Sequence, residues 1–418
     1  MNKKIKLLAV VMTVVMICTS MTSCLFFTTN QDVLTKSDVQ QMIQNSMHGN
    51  VTVQGGDNYN VNINAVDRDN VVAAKALLSV VSIDCIFKTN SYPSGYGTVK
   101  EKTSSGSGVI YKLDKENGDA YVITNFHVVY NSLANTPNRI SGDISLYLYG
   151  QESTEYAIPA TYVGGSMNYD LAILKVEGSK VLAESNAVPV EFASSDEVAV
   201  LDRAIAVGNP EDLGISATLG YINVDSEYIA MEGADGSTAI QLRVMRMDTA
   251  VNSGNSGGGL FDSQGRLIGI VNAKLTSSEN MSYALPSNFV KYVADNILYY
   301  CDETALERVQ RCYLGITVGA KELYTVYDTE TGRVHKRETV SVSSIEANSL
   351  AKGIIEVGDV INSITVDGVE YDVTRMFVVT DAMLNARVGS TVTVNVTRDG
   401  ENIELQISIL ESALSEIV

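Results

Sequence analysis

The chain has 418 residues, too many for one ordinary core, so its length predicts two or three domains. Hydrophobic residues make up 45%, with 32 glycines and no tryptophan, which predicts a folded, β-rich protein and excludes a disordered one. A formal charge of −19 argues against nucleic acid, whose phosphates are held by clustered Lys and Arg, and against electrostatic docking on a membrane; the acidic surface reads as solubilising.

Lys3, Lys4 and Lys6 precede the apolar run Leu7 to Ile17, so residues 1–23 read as a secretory signal. Met21-Thr22-Ser23-Cys24 then resembles a bacterial lipobox, in which cleavage before the cysteine leaves a thiol that carries lipid, here Cys24. Met21 stands where that motif usually has Leu, and the apolar character runs on through Leu25-Phe26-Phe27 to near the ~20 residues that span a bilayer. An uncleaved signal anchor is therefore the alternative, although interrupting Thr and Ser favour the lipoprotein. Either arrangement leaves the rest of the chain outside the cytoplasm.

Residues 24–70 read as a tether. Ser37 and Gln40 suit a capping box before the stripe Val39, Met42, Ile43 and Met47, which predicts a short helix. Val51 and Val53, then Tyr59, Val61 and Ile63, alternate around Gln54-Gly55-Gly56-Asp57, which predicts a hairpin. These small elements either pack on the remainder or on a second copy, or serve only as a spacer.

From 71 to 300 short alternating runs recur between turns: Ser79 to Phe87, Gly108 to Leu113, Ile144 to Tyr149, Ala204 to Gly208 and Leu267 to Ala273. Such spacing predicts an antiparallel barrel or sandwich. Cys85 alternates with Val81, Ile83 and Phe87, as a buried thiol does. Cys301 and Cys312 flank a junction; an exported compartment permits a disulfide there, but spacing does not establish it. No Cys and His spacing suggests a metal, and no cofactor motif is present.

The chemistry gathers on three stretches. Gly254-Asn255-Ser256-Gly257-Gly258 bends the backbone so that a hydroxyl and amide N–H groups are presented together. A serine hydroxyl needs a base and an orienting carboxylate. His127, one of three histidines, ends the apolar strand Tyr121 to Phe126, and Asp170 opens the strand Asp170 to Val176.

The order His127, Asp170, Ser256, together with Ala206-Val207-Gly208-Asn209-Pro210, the stretch Asp248 to Gly269 and Ser282-Tyr283-Ala284-Leu285-Pro286-Ser287, resembles the trypsin-like serine proteases, most closely the HtrA (DegP-like) family. The resemblance implies a mostly β protein: a trypsin-like double antiparallel β-barrel over 71–300, closed by a helix over Ser287 to Tyr299. It implies a catalytic triad of His127, Asp170 and Ser256 and an oxyanion hole from the amides of Gly254 and Ser256. One wall of the primary pocket falls on Ile270 to Leu275, where no acidic residue selects Lys or Arg, so small or aliphatic side chains are expected. Gly259 departs from the proline or alanine usual after the glycine pair. In this family the loop over Pro210 to Ala217 switches between arrangements.

Tyr313-Leu314-Gly315-Ile316, Ile355 to Ile361 and Gly389 to Val394 likewise resemble a PDZ domain (α+β) over 301–418. Main-chain N–H groups of Leu314, Gly315 and Ile316 would hold a peptide's terminal carboxylate, and a helix from Thr374 to Ala386 would form the other wall, with Met376 and Met383 either lining it or filling core. Asp328 to Arg333 predicts a hairpin turn, with His335 exposed. The implied function is an exported, membrane-tethered serine endopeptidase that degrades unfolded or damaged proteins. Its implied partners are unfolded proteins and peptide C-termini, the membrane through the N-terminus, and two further copies in a homotrimer. The alternative is a holdase or adaptor that binds unfolded chains with little cleavage.

Overall fold

The computed structural model describes residues 51–53, 59–61, 65–90, 99–272, 281–304 and 307–417. The signal, Cys24, the helix expected from Ser37, and Ala273 to Leu275 of the expected pocket wall lie outside them. In the N-terminal segment β1 (Val51–Val53) pairs antiparallel with β2 (Tyr59–Val61), with Val51 opposite Val61, as the alternation around Gln54 to Asp57 predicts.

Helix α1 (Ala65–Leu77) crosses the boundary expected at residue 70. Its alanines at 65, 73, 74 and 76 are strong helix formers, and Val72 and Ala76, one turn apart, are buried.

Six strands then close a first antiparallel barrel in the order β3-β4-β5-β8-β7-β6: β3 (Val80–Asn90), β4 (Val99–Asp114), β5 (Asp119–Thr124), β6 (Asp143–Leu148), β7 (Ile158–Ser166) and β8 (Leu171–Val176). Period-two alternation fixes the inner face: Val81, Ile83, Cys85 and Phe87 of β3 meet Ile144, Leu146 and Leu148 of β6 in one core. Burial pushes the Cys85 thiol up to about 12, so it is an inert core residue.

A second barrel closes in the order β10-β11-β14-β13-β12-β9: β9 (Arg203–Gly208), β10 (Ser216–Glu232), β11 (Ala239–Met247), β12 (Gly259–Phe261), β13 (Leu267–Asn272) and β14 (Ser282–Pro286). Between the barrels lies a shared core with Val109, Ile123 and Ile173 from the first and Ile205, Val207, Leu242 and Ile270 from the second. Helix α2 (Ser287–Thr304), longer than expected, adds Val290, Val293 and Ile297 to it, each contributing roughly 1.5 to 3 kcal/mol by burial. Thus two closed barrels are fixed against each other where β5 and β13 end and β8 begins.

The C-terminal part pairs β15 (Val309–Cys312) with the last strand, β22 (Leu414–Ile417). Between them a sheet runs β16-β17-β18-β20-β21, from β16 (Ile316–Tyr327), β17 (Val334–Ile345), β18 (Val360–Val366), β20 (Thr391–Arg398) and β21 (Glu401–Ser408), with β19 (Val369–Asp372) beside β18. Helix α3 (Met376–Met383), shorter than the expected Thr374 to Ala386, packs on the sheet. The turn expected over Asp328 to Arg333 joins β16 to β17, and Asp328 caps it by accepting from the amide of Glu330. His335 is half-buried, not exposed, because β17 places it in a cavity with Asp225, Arg243 and Arg375.

Cys301 and Cys312 are separate thiols, and the Cys312 sulfur donates to the carbonyl of Ala386 at 3.4 Å. A buried ion pair joins the second barrel to α3: Arg243 Nη2 on β11 lies 2.5 Å from Asp381 Oδ2, with the guanidinium carbon 3.9 Å from the Phe377 ring centre. Arg311 Nη1 donates to the Tyr169 hydroxyl at 3.1 Å, a second tie between β15 and the loop before β8.

Candidate active site

His127, Asp170 and Ser256 meet at the junction of the barrels. His127 is the second residue of a single helical turn, Phe126–Val129, that follows β5 directly. Asp170 immediately precedes β8 in the left-handed region, φ 48°, which turns its carboxylate back toward that turn. The Asp170 carboxylate accepts three hydrogen bonds: from the His127 amide at 3.0 Å on Oδ1, and from His127 Nδ1 at 2.7 Å and Asn272 Nδ2 at 2.8 Å on Oδ2. With Nδ1 donating to the carboxylate, Nε2 is the accepting nitrogen, and Ser256 Oγ lies 2.8 Å from it. The Asp170 side chain is 4% exposed and that of His127 18%, so the carboxylate is sealed while the imidazole edge stays open to a substrate.

The turn bearing Ser256 is fixed through its carbonyls. Ser253 O accepts from the Glu211 amide at 2.7 Å, Gly254 O from the Ser107 hydroxyl at 2.7 Å, Asn255 O from the Gly258 amide at 2.9 Å, and Ser256 O from the Ser107 amide at 2.8 Å. Glycine is required at two points. At Gly254, φ 95°, a Cβ would lie 2.2 Å from the carbonyl oxygen of Asn209; at Gly257, φ 84°, it would lie 2.1 Å from that of Ser107. Gly259, where the family usually has a larger residue, faces the Phe261 ring, which a Cβ would meet at 2.4 Å.

The sequence singled out the three side chains that meet here but not the polar layer beneath them. Ser107, Thr124, Asn125, Asn209 and Asn272 are all buried. Asn125 donates to the carbonyl of Asp170 at 2.8 Å, and Thr124 to that of Ser107 at 2.7 Å. Asn272, read from the sequence only as part of a pocket wall, orients the carboxylate instead. The available signal was a polar residue at an inward position of an otherwise apolar run, as in Gly106-Ser107-Gly108-Val109-Ile110. In the loop over Pro210 to Ala217, Glu211 and Asp212 are both left-handed, φ 56° and 58°, unusual for non-glycine residues, and Asn209 Nδ2 donates to Asp212.

In the C-terminal part Leu314 is buried, and Gly315, φ 74°, abuts Ser349. The carbonyls of Leu314 and Gly315 accept from Ala351 and Glu346, and Ile316 opens β16, whose other side is a sheet edge beside α3. Met383 is buried and Met376 half-buried, both packed into the core of this part.

Residues 106–270 match the trypsin-like peptidase domain family. The chain is 28% identical over 394 residues to the Serine protease Do-like HtrA of Lactococcus lactis subsp. cremoris, spanning 88% of both chains. It is 30% identical over 346 residues to the Serine protease Do-like HtrA of Bacillus subtilis, covering 79% of this chain and 68% of that one. The Periplasmic serine endoprotease DegP of Escherichia coli matches at 28% over 333 residues, 78% of this chain and 60% of that one. Among solved structures, the HtrA-type protease AlgW with tripeptide has the same fold, with a TM-score of 0.50 at 23% identity over 83% of this chain and 97% of that one.

Proposed function

Because the chain belongs to the HtrA family of serine proteases and is a serine endopeptidase, we propose that His127, Asp170 and Ser256 are its catalytic triad and that it degrades unfolded proteins outside the cytoplasm. The observation that carries this reading is the unbroken line of contacts from Asp170 Oδ2 through the imidazole to Ser256 Oγ, at 2.7 and 2.8 Å.

Ser256 Oγ attacks the scissile carbonyl carbon as its proton passes to His127 Nε2, and Asp170 holds the tautomer and stabilises the imidazolium. His127 then gives that proton to the leaving amine, and the acyl-enzyme is released by water activated the same way. The negative oxygen of each tetrahedral intermediate is bound by the amides of Gly254 and Ser256. In a trans peptide the N–H points opposite to the carbonyl, so tying Ser253 O and Asn255 O on one side aims these two amides to the other. Such a donor is worth about 3 to 4 kcal/mol.

The C-terminal part acts as a PDZ domain. An extended peptide adds to the open edge of β16, its carboxylate held by the amides of Leu314, Gly315 and Ile316, with α3 as the opposite wall. Lipid on Cys24, or an uncleaved signal anchor, holds the chain at the outer face of the cell membrane, and three copies assemble as a homotrimer. Quality control of exported proteins under stress is the role that this combination serves.

The test is incubation of purified protein with unfolded casein beside Ser256→Ala. Fragments from the wild type alone, and a fluorophosphonate tag mapping to Ser256, are expected. Binding of casein without fragments from either protein would instead make the chain a holdase.

A further inference from the structure

We propose that Ser107, a residue of the first barrel with no place in the triad, is the positioning residue that holds the nucleophile turn in its oxyanion-binding shape. The assignment rests on the triad reading above. Ser107 is fully buried, and every polar group it owns is used. Its hydroxyl donates to Gly254 O at 2.7 Å and accepts from the Asn209 amide at 2.8 Å; its amide donates to Ser256 O at 2.8 Å; its carbonyl accepts from Thr124 Oγ1 at 2.7 Å.

Two of these bonds fix peptide planes of the turn directly. Ser107 holds the carbonyls of the planes after Gly254 and after Ser256, while the amides of those planes, from Asn255 and Gly257, donate to Asn252 O at 3.1 Å and Val271 O at 2.9 Å, so the Cα atoms that carry the two oxyanion amides are each held from their C-terminal side. The planes before them are held by Glu211 and Gly258. Of the residues that anchor the turn in this way, Ser107 alone comes from the barrel that carries His127 and Asp170. Its amide and hydroxyl therefore register the second barrel's turn against the first barrel's base. The hydroxyl reaches Asn209 in the same step, which locks the start of the loop containing Glu211, the donor to Ser253 O.

Removing the hydroxyl leaves a buried carbonyl at Gly254 and a buried amide at Asn209 without this partner. The plane after Gly254 is then held only by the Asn255 amide, which donates to Asn252 O at 3.1 Å, so the turn loosens, which displaces donors for the transition state and leaves ground-state contacts with substrate in place.

Ser107→Ala is expected to lower kcat on a chromogenic peptide by about 10- to 100-fold, less than loss of an oxyanion donor itself, with KM changed by less than about threefold. Affinity for a peptide boronate, whose tetrahedral adduct needs the oxyanion site, should fall in proportion to kcat. Ser107→Cys, nearly isosteric with a weak S–H donor, should lie between wild type and alanine, and it carries the same test should the alanine variant fail to fold. Variants folded by circular dichroism that keep kcat and boronate affinity within about twofold of wild type would overturn the assignment, as would a loss confined to KM. A fluorophosphonate run in parallel separates the two readings. A tag that maps away from Ser256 removes the triad and this proposal together; a tag on Ser256 that forms as fast in Ser107→Ala as in wild type removes this proposal alone.

Discussion

Asp381 is a carboxylate whose ionisation the fold resists, and pH should reveal it. Burial between α3 and the second barrel raises its pKa from the usual carboxylate range to about 6, an effect that Asp196 reinforces and that the attraction of Arg243 and Arg311 only partly offsets. The sign is the reverse of an ordinary salt-bridged aspartate. The folded state binds the proton more tightly than the unfolded chain, so stability from this group grows as pH falls through 6 and is complete only below the unfolded value. Between about pH 7 and about pH 4.5 the gain is about 2 kcal/mol. Other carboxylates titrate over the same range, so the measurement is a difference. Urea unfolding of the wild type and of Asp381→Asn, both carrying Ser256→Ala to prevent self-digestion, is followed by circular dichroism across that range. Asparagine keeps the shape and cannot titrate. The stability of the aspartate protein should rise relative to the asparagine protein by about 2 kcal/mol on acidification. Curves that stay parallel, or that diverge with the opposite sign, would refute the claim that desolvation outweighs the ion pair at this position.

Gly254→Ala forces a methyl group against the Asn209 carbonyl at a backbone angle that alanine resists, so the turn must shift. Fluorophosphonate labelling of Ser256 should slow by about 100-fold or more, with a cooperative melt retained; unchanged labelling would contradict the oxyanion assignment. Asn272→Leu removes the amide donor to Asp170 Oδ2 at nearly constant volume. It should lower kcat by about tenfold with KM within about twofold, and a KM effect alone would return Asn272 to the pocket wall.

The three side chains that meet at the candidate site could be singled out in the sequence because each sits at the end of a local pattern: an apolar strand running into His127, one running out of Asp170, and glycines around Ser256. Alternation carried the strands as well, since period two is a local property of Val81 to Phe87 or Leu267 to Asn272. What escaped was non-local. Ser107 contacts Gly254 across 147 residues of chain, and Arg243 pairs with Asp381 across 138. No window of sequence contains both partners. Helix α1 escaped for another reason: Val71 and Val72 sit in an alanine-rich stretch directly before a strand, and its short buried stripe reads equally well as the start of that strand. His335 lay among polar neighbours, and only the packing of β17 beside the second barrel covers it.

The division of His127, Asp170 and Ser256 between two closed barrels also sets when the three can first meet. His127 and Asp170 belong to a barrel complete at Val176, whereas the barrel holding Ser256 is sealed only when β14, ending at Pro286, pairs with both β11 and β13. A chain that folds from its amino end therefore completes the barrel carrying His127 and Asp170 long before Ser256 is seated. The contact between His127 and Ser256 cannot form until more than a hundred later residues, from Val176 to Pro286, have folded and docked.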